Sequence, residues 1–138
     1  MKIKPYVHKV QYYETDKMGI THHSNYIRWM EEARVDFLDQ IGFSFDRLES
    51  EGLSSPILSV NCDYKHATKF GELVTIYVAI AEFRRVKMDL GYTMKNAEGE
   101  TVCSGHTVLA FFGKEGKPMR LEKDYPEFYK ALTEAVYE

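Results

Sequence analysis

One stretch of the chain decides the fold: Ser24-Asn25-Tyr26-Ile27-Arg28-Trp29-Met30-Glu31-Glu32-Ala33-Arg34-Val35-Asp36-Phe37-Leu38-Asp39-Gln40-Ile41. Its apolar residues recur at intervals of three and four, the spacing of one helix face: Tyr26, Met30, Ala33, Phe37 and Ile41. Trp29 and Leu38 widen that face, so the stretch predicts a long helix with one side deeply buried. Ser24 is a candidate N-cap, and Gly42 follows where a left-handed C-terminal residue is expected.

The segments around this helix have the pattern of strands. Residues 6–13 are rich in aromatic and β-branched side chains and predict a strand before the helix. Residues 58–65, 73–83, 86–95 and 101–112 predict four strands after it, and residues 124–137 predict a short final helix. The expected order is therefore β-α-β-β-β-β with a C-terminal helix, an α+β arrangement forming one domain over residues 1–138.

This order indicates how the segments pack. One long amphipathic helix beside consecutive antiparallel strands buries its apolar face in the concave side of the sheet. Residues 58–65 alternate apolar and polar, which predicts a half-buried strand. Residues 73–83 are apolar on both faces, which predicts cover on the second face as well. A second copy of the chain is the simplest cover.

Composition narrows the classes of protein. A formal net charge of −3 argues against general affinity for nucleic acid. Cys62 and Cys103 match no zinc or redox spacing and are expected to be free thiols inside strands. The N-terminus does not read as a signal peptide, and no apolar run reaches membrane-spanning length, so the expected location is the cytoplasm.

Reactive side chains concentrate between Tyr12 and Tyr26, where the first strand leads into the long helix. A helix N-terminus offers unpaired N–H groups and a positive dipole end, which can stabilise an oxyanion. A nearby carboxylate such as Asp16 can act as nucleophile or general base. Spacing alone also fits an acidic residue that merely forms a turn.

The adjacent histidines do not predict a metal site. His22 and His23 are neighbours in sequence, and His8, His66 and His106 have no ligand spacing relative to them. His22 fits a hydrogen bond at the helix start as well as it fits contact with a substrate carbonyl. No metal and no cofactor are expected.

Two motifs carry a family resemblance. The run from Tyr12 to Arg34 has the pattern Tyr-Tyr-Glu-Thr-Asp-x-x-Gly-x-x-x-His-Ser-Asn-Tyr-x-x-Trp-x-Glu-Glu-Ala-Arg. It resembles the signature of the 4-hydroxybenzoyl-CoA thioesterase family, most closely the acyl-CoA thioesterase branch associated with the bacterial Tol–Pal cluster. The likeness continues through residues 63–72 and to about Arg120. The resemblance implies the hotdog fold, a five-stranded antiparallel sheet wrapped around one long helix.

The resemblance also implies a reaction centre. The family's catalytic carboxylate matches Asp16, and its helix-start histidine matches His23, whose backbone N–H is the expected oxyanion donor. The family tyrosine before the aspartate matches Tyr13 or Tyr12, and which of the two faces the site stays open. We assign Tyr13 to the catalytic set with Asp16 and His23, and Tyr12 to the substrate-binding set.

In hotdog enzymes the active site lies between two protomers, which implies a homodimer at least, with a homotetramer as the larger alternative. Coenzyme A carries phosphates, so cations are expected near the entrance of the site. The substrate-binding candidates are Tyr12, Tyr26, Tyr64, Arg84, Arg85, Lys87 and Arg120.

The expected activity is hydrolysis of a small or medium acyl-CoA to free acid and coenzyme A. Two alternatives belong to other classes. A non-catalytic acyl-CoA-binding module would release no thiol, and a hotdog hydroxyacyl dehydratase would yield an enoyl product. Asp16 and His23 argue against the first, and the absence of the dehydratase pairing of histidine and glutamate argues against the second.

Overall fold

The computed structural model describes residues 1–138. The strands are β1 (Lys2–Ile3), β2 (Tyr6–Lys9), β3 (Ile57–Tyr64), β4 (Leu73–Arg84), β5 (Lys87–Lys95), β6 (Thr101–Ala110) and β7 (Val136–Tyr137). The α-helices are α1 (Ser24–Gln40), α2 (Phe45–Ser50), α3 (Leu121–Asp124) and α4 (Pro126–Glu134), and short 3-10 helices occur at Tyr12–Glu14 and Lys114–Gly116.

Five strands form one antiparallel sheet in the order β2-β4-β5-β6-β3, so β2 and β3 are its edges. The long helix α1 lies against the concave face of this sheet. Alternate residues of the central strands point at the helix and are buried, among them Leu90 and Tyr92 of β5. Helix and sheet thus share one core, and the five-stranded sheet around a long helix is confirmed.

A glycine allows the closest approach between helix and sheet. A Cβ placed on Gly105 of β6 would collide with the backbone carbonyl of Asn61 and lie 2.7 Å from Cε of Met30 in α1. Only a residue without a side chain lets Met30 pack at this depth. This contact fixes α1 close to the edge of the sheet that β3 forms.

The first strand is shorter than predicted. It ends at Lys9, and residues 12–14 form a 3-10 turn instead of continuing the strand. Val10 donates its N–H to the Glu72 carbonyl, after which the Glu14 carboxylate accepts the Gln11 N–H and closes the turn. Hydrogen bonding by a side chain has overridden the local strand propensity.

The single C-terminal helix predicted over residues 124–137 is also wrong in its bounds. Asp124 belongs to the preceding helix α3, and α4 starts at Pro126, which has no N–H to donate, and ends at Glu134. The chain then extends as β7, which pairs in parallel with β1. The Val136 N–H donates to the Met1 carbonyl, tying the two ends of the chain together.

Burial of β3 differs from the predicted half-buried strand, whereas the second face of β4 was predicted to be covered by a second copy of the chain. In β4 the residues facing α1 are buried, while the second face, including Ala79, is partly open, so one chain does not cover both sides. In β3 only Cys62 is even partly buried, because the strand lies at an edge of the sheet.

The two cysteines are free thiols, as expected. None of the helices has the length and apolar character needed to cross a membrane.

Candidate active site

Asp16 lies on a tight loop, residues 15–21, between the 3-10 turn and α1. Thr15 and Thr21 pair across the base of the loop, and the Asp16 N–H donates to the Ile20 carbonyl at 2.9 Å. Gly19 returns the chain with a φ of 78° and donates to the Asp16 carbonyl. The Asp16 side chain is half-buried: Oδ1 accepts the Met18 N–H at 2.9 Å, and Oδ2 has no partner in the chain. One carboxylate oxygen is therefore free to meet a substrate or a water.

The start of α1 has one free N–H group. The His22 N–H donates to the Glu14 carbonyl, and the Asn25 and Tyr26 N–H groups donate to the carbonyls of His22 and His23. The His23 N–H has no acceptor in the chain. It stands at the positive end of a seventeen-residue helix. The group expected to be the oxyanion donor is thus available for that purpose.

The N-cap prediction needs correction. His23 occupies the cap position, and Ser24 is the first residue of α1. The Ser24 N–H donates to Nδ1 of His22 at 3.3 Å, and its hydroxyl lies 2.9 Å from the same nitrogen. His22 therefore hydrogen-bonds at the helix start, one of the two roles that the sequence left open. The exposed His23 ring stacks on the His22 ring, with centroids 4.3 Å apart.

A buried carboxylate that the sequence analysis did not single out holds these parts together. Glu14 is 4% exposed. Its Oε1 accepts from the Gln11 N–H and faces His8 Nε2, both at 2.8 Å, and its Oε2 accepts from Trp29 Nε1 at 2.7 Å. Burial alone would raise the pKa of Glu14, but these hydrogen bonds outweigh it and hold the pKa below its ordinary value.

The backbone of Glu14 makes the connection to the helix. Its carbonyl accepts both the His22 N–H and the side-chain amide of buried Asn25, which also donates to the His22 carbonyl. The segment before the Asp16 loop is therefore fixed directly to the first turn of α1. The sequence signal for this role was the position of Glu14 two residues before Asp16, inside the motif, but its partners are distant in the chain.

Two of the tyrosine candidates line the helix start. Tyr26 is buried in the core, and its hydroxyl lies 3.0 Å from the Thr68 hydroxyl. Burial raises the pKa of Tyr26, so its hydroxyl keeps its proton. Tyr64, at the end of β3, is 49% exposed and donates a hydrogen bond of 3.3 Å to the His23 carbonyl. Of the two, only Tyr64 presents a surface to a ligand.

The other two tyrosines point outward. Tyr13 is 83% exposed, and Tyr12 is 76% exposed with its ring edge against Phe70. Within one chain neither ring is held against Asp16 by a hydrogen bond. The choice between them stays open.

The cationic candidates lie at the far end of the sheet from Asp16. Arg84, Arg85 and Lys87 are at the β4–β5 hairpin, while the Asp16 loop is next to the opposite end of β4. The twelve residues of β4 put about 36 Å between these ends. Arg85 and Arg120 line one hollow of about 310 Å³, whereas Arg84 pairs with Glu82 at 3.5 Å. One chain brings two of these cations together but does not bring them to Asp16.

The chain has no cluster of three or more side chains suited to holding a metal ion.

A sheet around one helix, with a free carboxylate oxygen and an open N–H at the helix start, is the frame of a hotdog enzyme. The chain belongs to the thioesterase-like superfamily, whose model matches residues 10–135.

Individual relatives extend over nearly the whole chain. The chain is 32% identical over 128 residues to the putative acyl-CoA thioesterase YneP of Bacillus subtilis, covering 92% of this chain and 93% of that protein. It is 31% identical to the acyl-CoA thioesterase YbgC of Helicobacter pylori, covering 93% and 98% respectively. Among solved structures, the DHNA-CoA thioesterase of Staphylococcus aureus superposes with a TM-score of 0.85 at 31% identity, over 94% of this chain and 88% of that one. These likenesses establish the hotdog fold.

Proposed function

We propose that the chain hydrolyses small or medium acyl-CoA thioesters, with Asp16 as the reacting carboxylate and the His23 N–H as the oxyanion donor. The observation that carries the proposal is the open His23 N–H beside a loop on which Asp16 keeps one carboxylate oxygen free. Membership of the thioesterase-like superfamily supports thioester hydrolysis, as do two relatives matched over more than 90% of their length, one named an acyl-CoA thioesterase and the other a putative acyl-CoA thioesterase.

The chemistry follows from these two groups. The thioester carbonyl lies over the start of α1, where the His23 N–H and the helix dipole stabilise the negative charge that develops on oxygen. Asp16 either attacks the carbonyl carbon, giving a mixed anhydride that water then cleaves, or takes a proton from the attacking water. In both routes the thiol of coenzyme A leaves and the free acid remains. Neither route needs a cofactor.

A second copy of the chain completes the site in this proposal. β3 is an edge strand of eight residues with an unpaired backbone edge, and Leu58, Val60 and Tyr64 expose between 41% and 49% of their surface. Such an edge favours pairing with another strand. A two-fold axis at its middle makes the pair antiparallel, so the Ile57 end of one copy meets the Tyr64 end of the other. A homodimer is the smallest assembly, and a homotetramer would join two of them.

This pairing also explains the position of the cations. The β4–β5 hairpin lies at the Ile57 end of β3, since Lys87 pairs with Ala110 and Ile57 with Leu109. In the antiparallel dimer the partner's hairpin therefore approaches the Asp16 loop. Arg85 and Arg120 are the cations that we assign to the phosphates of coenzyme A, with Arg84 and Lys87 beside them.

The finer assignments rest on the sequence resemblance. We place the chain in the 4-hydroxybenzoyl-CoA thioesterase family, near the Tol–Pal-associated branch, and in the cytoplasm. Tyr13 stays in the proposed catalytic set, and Tyr12 and Tyr64 stay in the substrate-binding set, where Tyr64 has the strongest support because it contacts the His23 carbonyl. Tyr26, which the sequence also placed in that set, is buried and packs against the Tyr64 ring, with centroids 5.3 Å apart.

The variant Asp16→Asn tests the mechanism, because it removes the charge and basicity but keeps the shape. We expect kcat for release of free thiol from acyl-CoA to fall by about 100-fold or more. Asp39→Asn, at an exposed position of α1, is the matched control and should keep wild-type turnover. Near-normal turnover by Asp16→Asn would refute the mechanism. Binding without thiol release in the wild type would indicate the binding module, and conversion of a hydroxyacyl-CoA to an enoyl-CoA with loss of water would indicate the dehydratase.

A further inference from the structure

The proposed reaction leaves one cavity of the chain without a role. It has a volume of about 650 Å³ and lies between α1, α2 and the chain that enters β3. Its lining has an apolar part, formed by Phe45, Leu48, Leu53, Pro56, Ile57 and Phe111, and a polar part that includes Ser54 and Ser55. Such a cavity suits the hydrocarbon part of a ligand.

One residue that lines the cavity is a buried cation. Arg34 of α1 is only 9% exposed. Its Nη1 donates to the Tyr92 hydroxyl at 3.4 Å, and that hydroxyl lies 2.8 Å from the Thr107 hydroxyl, so the contacts are with neutral groups. No carboxylate lies within 4.0 Å of the guanidinium. A charge that is largely buried without a counter-ion is costly, and an anionic ligand group beside it would lower that cost.

The free part of the guanidinium has a definite shape. Nε and Nη2 of Arg34 make no hydrogen bond in the chain. Every side-chain nitrogen or oxygen that is sealed from solvent does have a hydrogen-bond partner, so these two atoms are not sealed. These two nitrogens are therefore in contact with solvent, and we assign that contact to the cavity that Arg34 lines. Together they form the side of the guanidinium that binds a carboxylate through two parallel hydrogen bonds.

We infer that this cavity binds the far end of an acyl group that carries a terminal carboxylate, with Arg34 as its counter-ion. The substrate class is then the coenzyme A monothioester of a dicarboxylic acid. The inference rests on the proposed thioester hydrolysis and names its substrate class. Glu31 and Glu49 also line the cavity, but both are exposed at its mouth, where water weakens their repulsion of the passing anion.

The proposed dimer connects this cavity with the reaction centre. Ile57 lines the cavity, and Tyr64, at the other end of β3, contacts His23. Antiparallel pairing of two β3 strands brings the cavity of one copy next to the helix start of the other. Within one chain Arg34 is ten residues along α1 from Ser24, about 15 Å away and too far for a six-carbon acyl group.

The test compares substrates that differ only at the far end of the acyl group. For the full-length wild-type chain, kcat/KM is measured by thiol release with adipoyl-CoA against hexanoyl-CoA, and with suberoyl-CoA against octanoyl-CoA. We expect the carboxylated substrate of at least one pair to be preferred by about tenfold or more, as expected for a hydrogen-bonded charge pair. Wild-type preference for the uncharged substrate of both pairs would overturn the inference and leave thioester hydrolysis intact. Absence of thiol release from all four would overturn both.

Variants identify Arg34 as the source of the preference. In Arg34→Met the ratio of the two kcat/KM values should fall by about tenfold or more, mainly through KM for the carboxylated substrate. Arg34→Lys keeps the charge without the paired hydrogen bonds and should give an intermediate ratio. Arg47→Met, which changes an exposed arginine of α2, should leave the ratio as in the wild type. An unchanged ratio in folded Arg34→Lys and Arg34→Met would refute the role of Arg34, and if Arg34→Met does not fold, Arg34→Lys alone decides.

Discussion

Glu14→Gln is the substitution that most directly tests how the reaction centre is held. The native carboxylate accepts from three donors: the Gln11 N–H and His8 Nε2 at Oε1, and Trp29 Nε1 at Oε2. A glutamine has one acceptor oxygen, so if that oxygen keeps the Gln11 bond, its amide N–H groups face the Trp29 N–H. One charge-assisted hydrogen bond is lost, and two buried donors oppose each other.

The expected cost follows from those losses. A hydrogen bond to a charged group contributes about 1.5–3 kcal/mol, and a buried donor left without an acceptor costs about 1–3 kcal/mol. We therefore expect Glu14→Gln to lower the free energy of unfolding by about 3 kcal/mol. Turnover should fall as well, because the Glu14 segment ties the Asp16 loop to the first turn of α1.

Urea unfolding at neutral pH measures the first effect. Trp29 is the only tryptophan of the chain and donates to Glu14, so its fluorescence reports on this cluster directly. Glu98→Gln, at an exposed hairpin position, is the matched control and should change the free energy of unfolding by less than about 0.5 kcal/mol. A loss below about 1 kcal/mol in Glu14→Gln would refute the argument that the cluster depends on the carboxylate.

Acid gives the same experiment a second readout. The folded chain holds the pKa of Glu14 below its ordinary value of 4.5, so this group stabilises the fold above that value. The contribution is lost as the pH falls through the lowered pKa of the folded state, where the carboxylate finally takes a proton. Glu14→Gln has no such group and should lose less stability than the wild type as the pH falls below the ordinary Glu14 pKa of 4.5.

Two further predictions concern the sheet. Gly105→Ala should lower the free energy of unfolding, measured in urea, by about 1–3 kcal/mol or more, because the added Cβ would meet the Asn61 carbonyl and Cε of Met30. Gly91→Ala is the control and should change the free energy of unfolding little, because the nearest atom to its added Cβ is His106 Cε1 at 3.5 Å. Val60→Lys on the β3 edge should convert the proposed dimer to a monomer in size-exclusion chromatography and lower thiol release. Val7→Lys on the opposite edge strand is its control, and a dimeric, fully active Val60→Lys would contradict pairing through β3.

The local spacing of apolar residues in the sequence predicted most of the fold. The spacing from Tyr26 to Ile41 predicted α1 to within a residue, because one face of the helix is buried against the sheet along its length. Alternation predicted the strands over residues 58–65 and 86–95, and apolar runs predicted those over residues 73–83 and 101–112. The strand boundary at Lys9 was missed, since the Glu14 carboxylate that closes the turn through Gln11 is itself held by Trp29, fifteen residues later. Contacts of that kind have no signal in a local pattern.

The candidate site also has features that the sequence predicted and features that it did not. The side-chain type and the motif were enough to single out Asp16 and His23. They did not indicate that the His23 N–H lacks an acceptor, or that His22 bonds to Ser24, because both depend on which backbone groups the loop satisfies. The exposure of β3 was also beyond the sequence: its alternation suits a half-buried strand, and only its position at the edge of the sheet leaves it open.

The reaction centre and the cavity lie at opposite ends of β3, so the proposals for Asp16 and for Arg34 can be tested separately. The reaction centre lies by Tyr64, and the cavity with Arg34 lies by Ile57, so a substrate that uses both must cross between two copies. Loss of Asp16 should then remove turnover for all acyl groups, whereas loss of Arg34 should change the ratio between charged and uncharged ones. Disruption of β3 pairing by Val60→Lys should lower turnover and abolish the preference together, because it separates the two parts. Only a site shared between copies predicts that third result, since a site within one chain would keep its preference in the monomer.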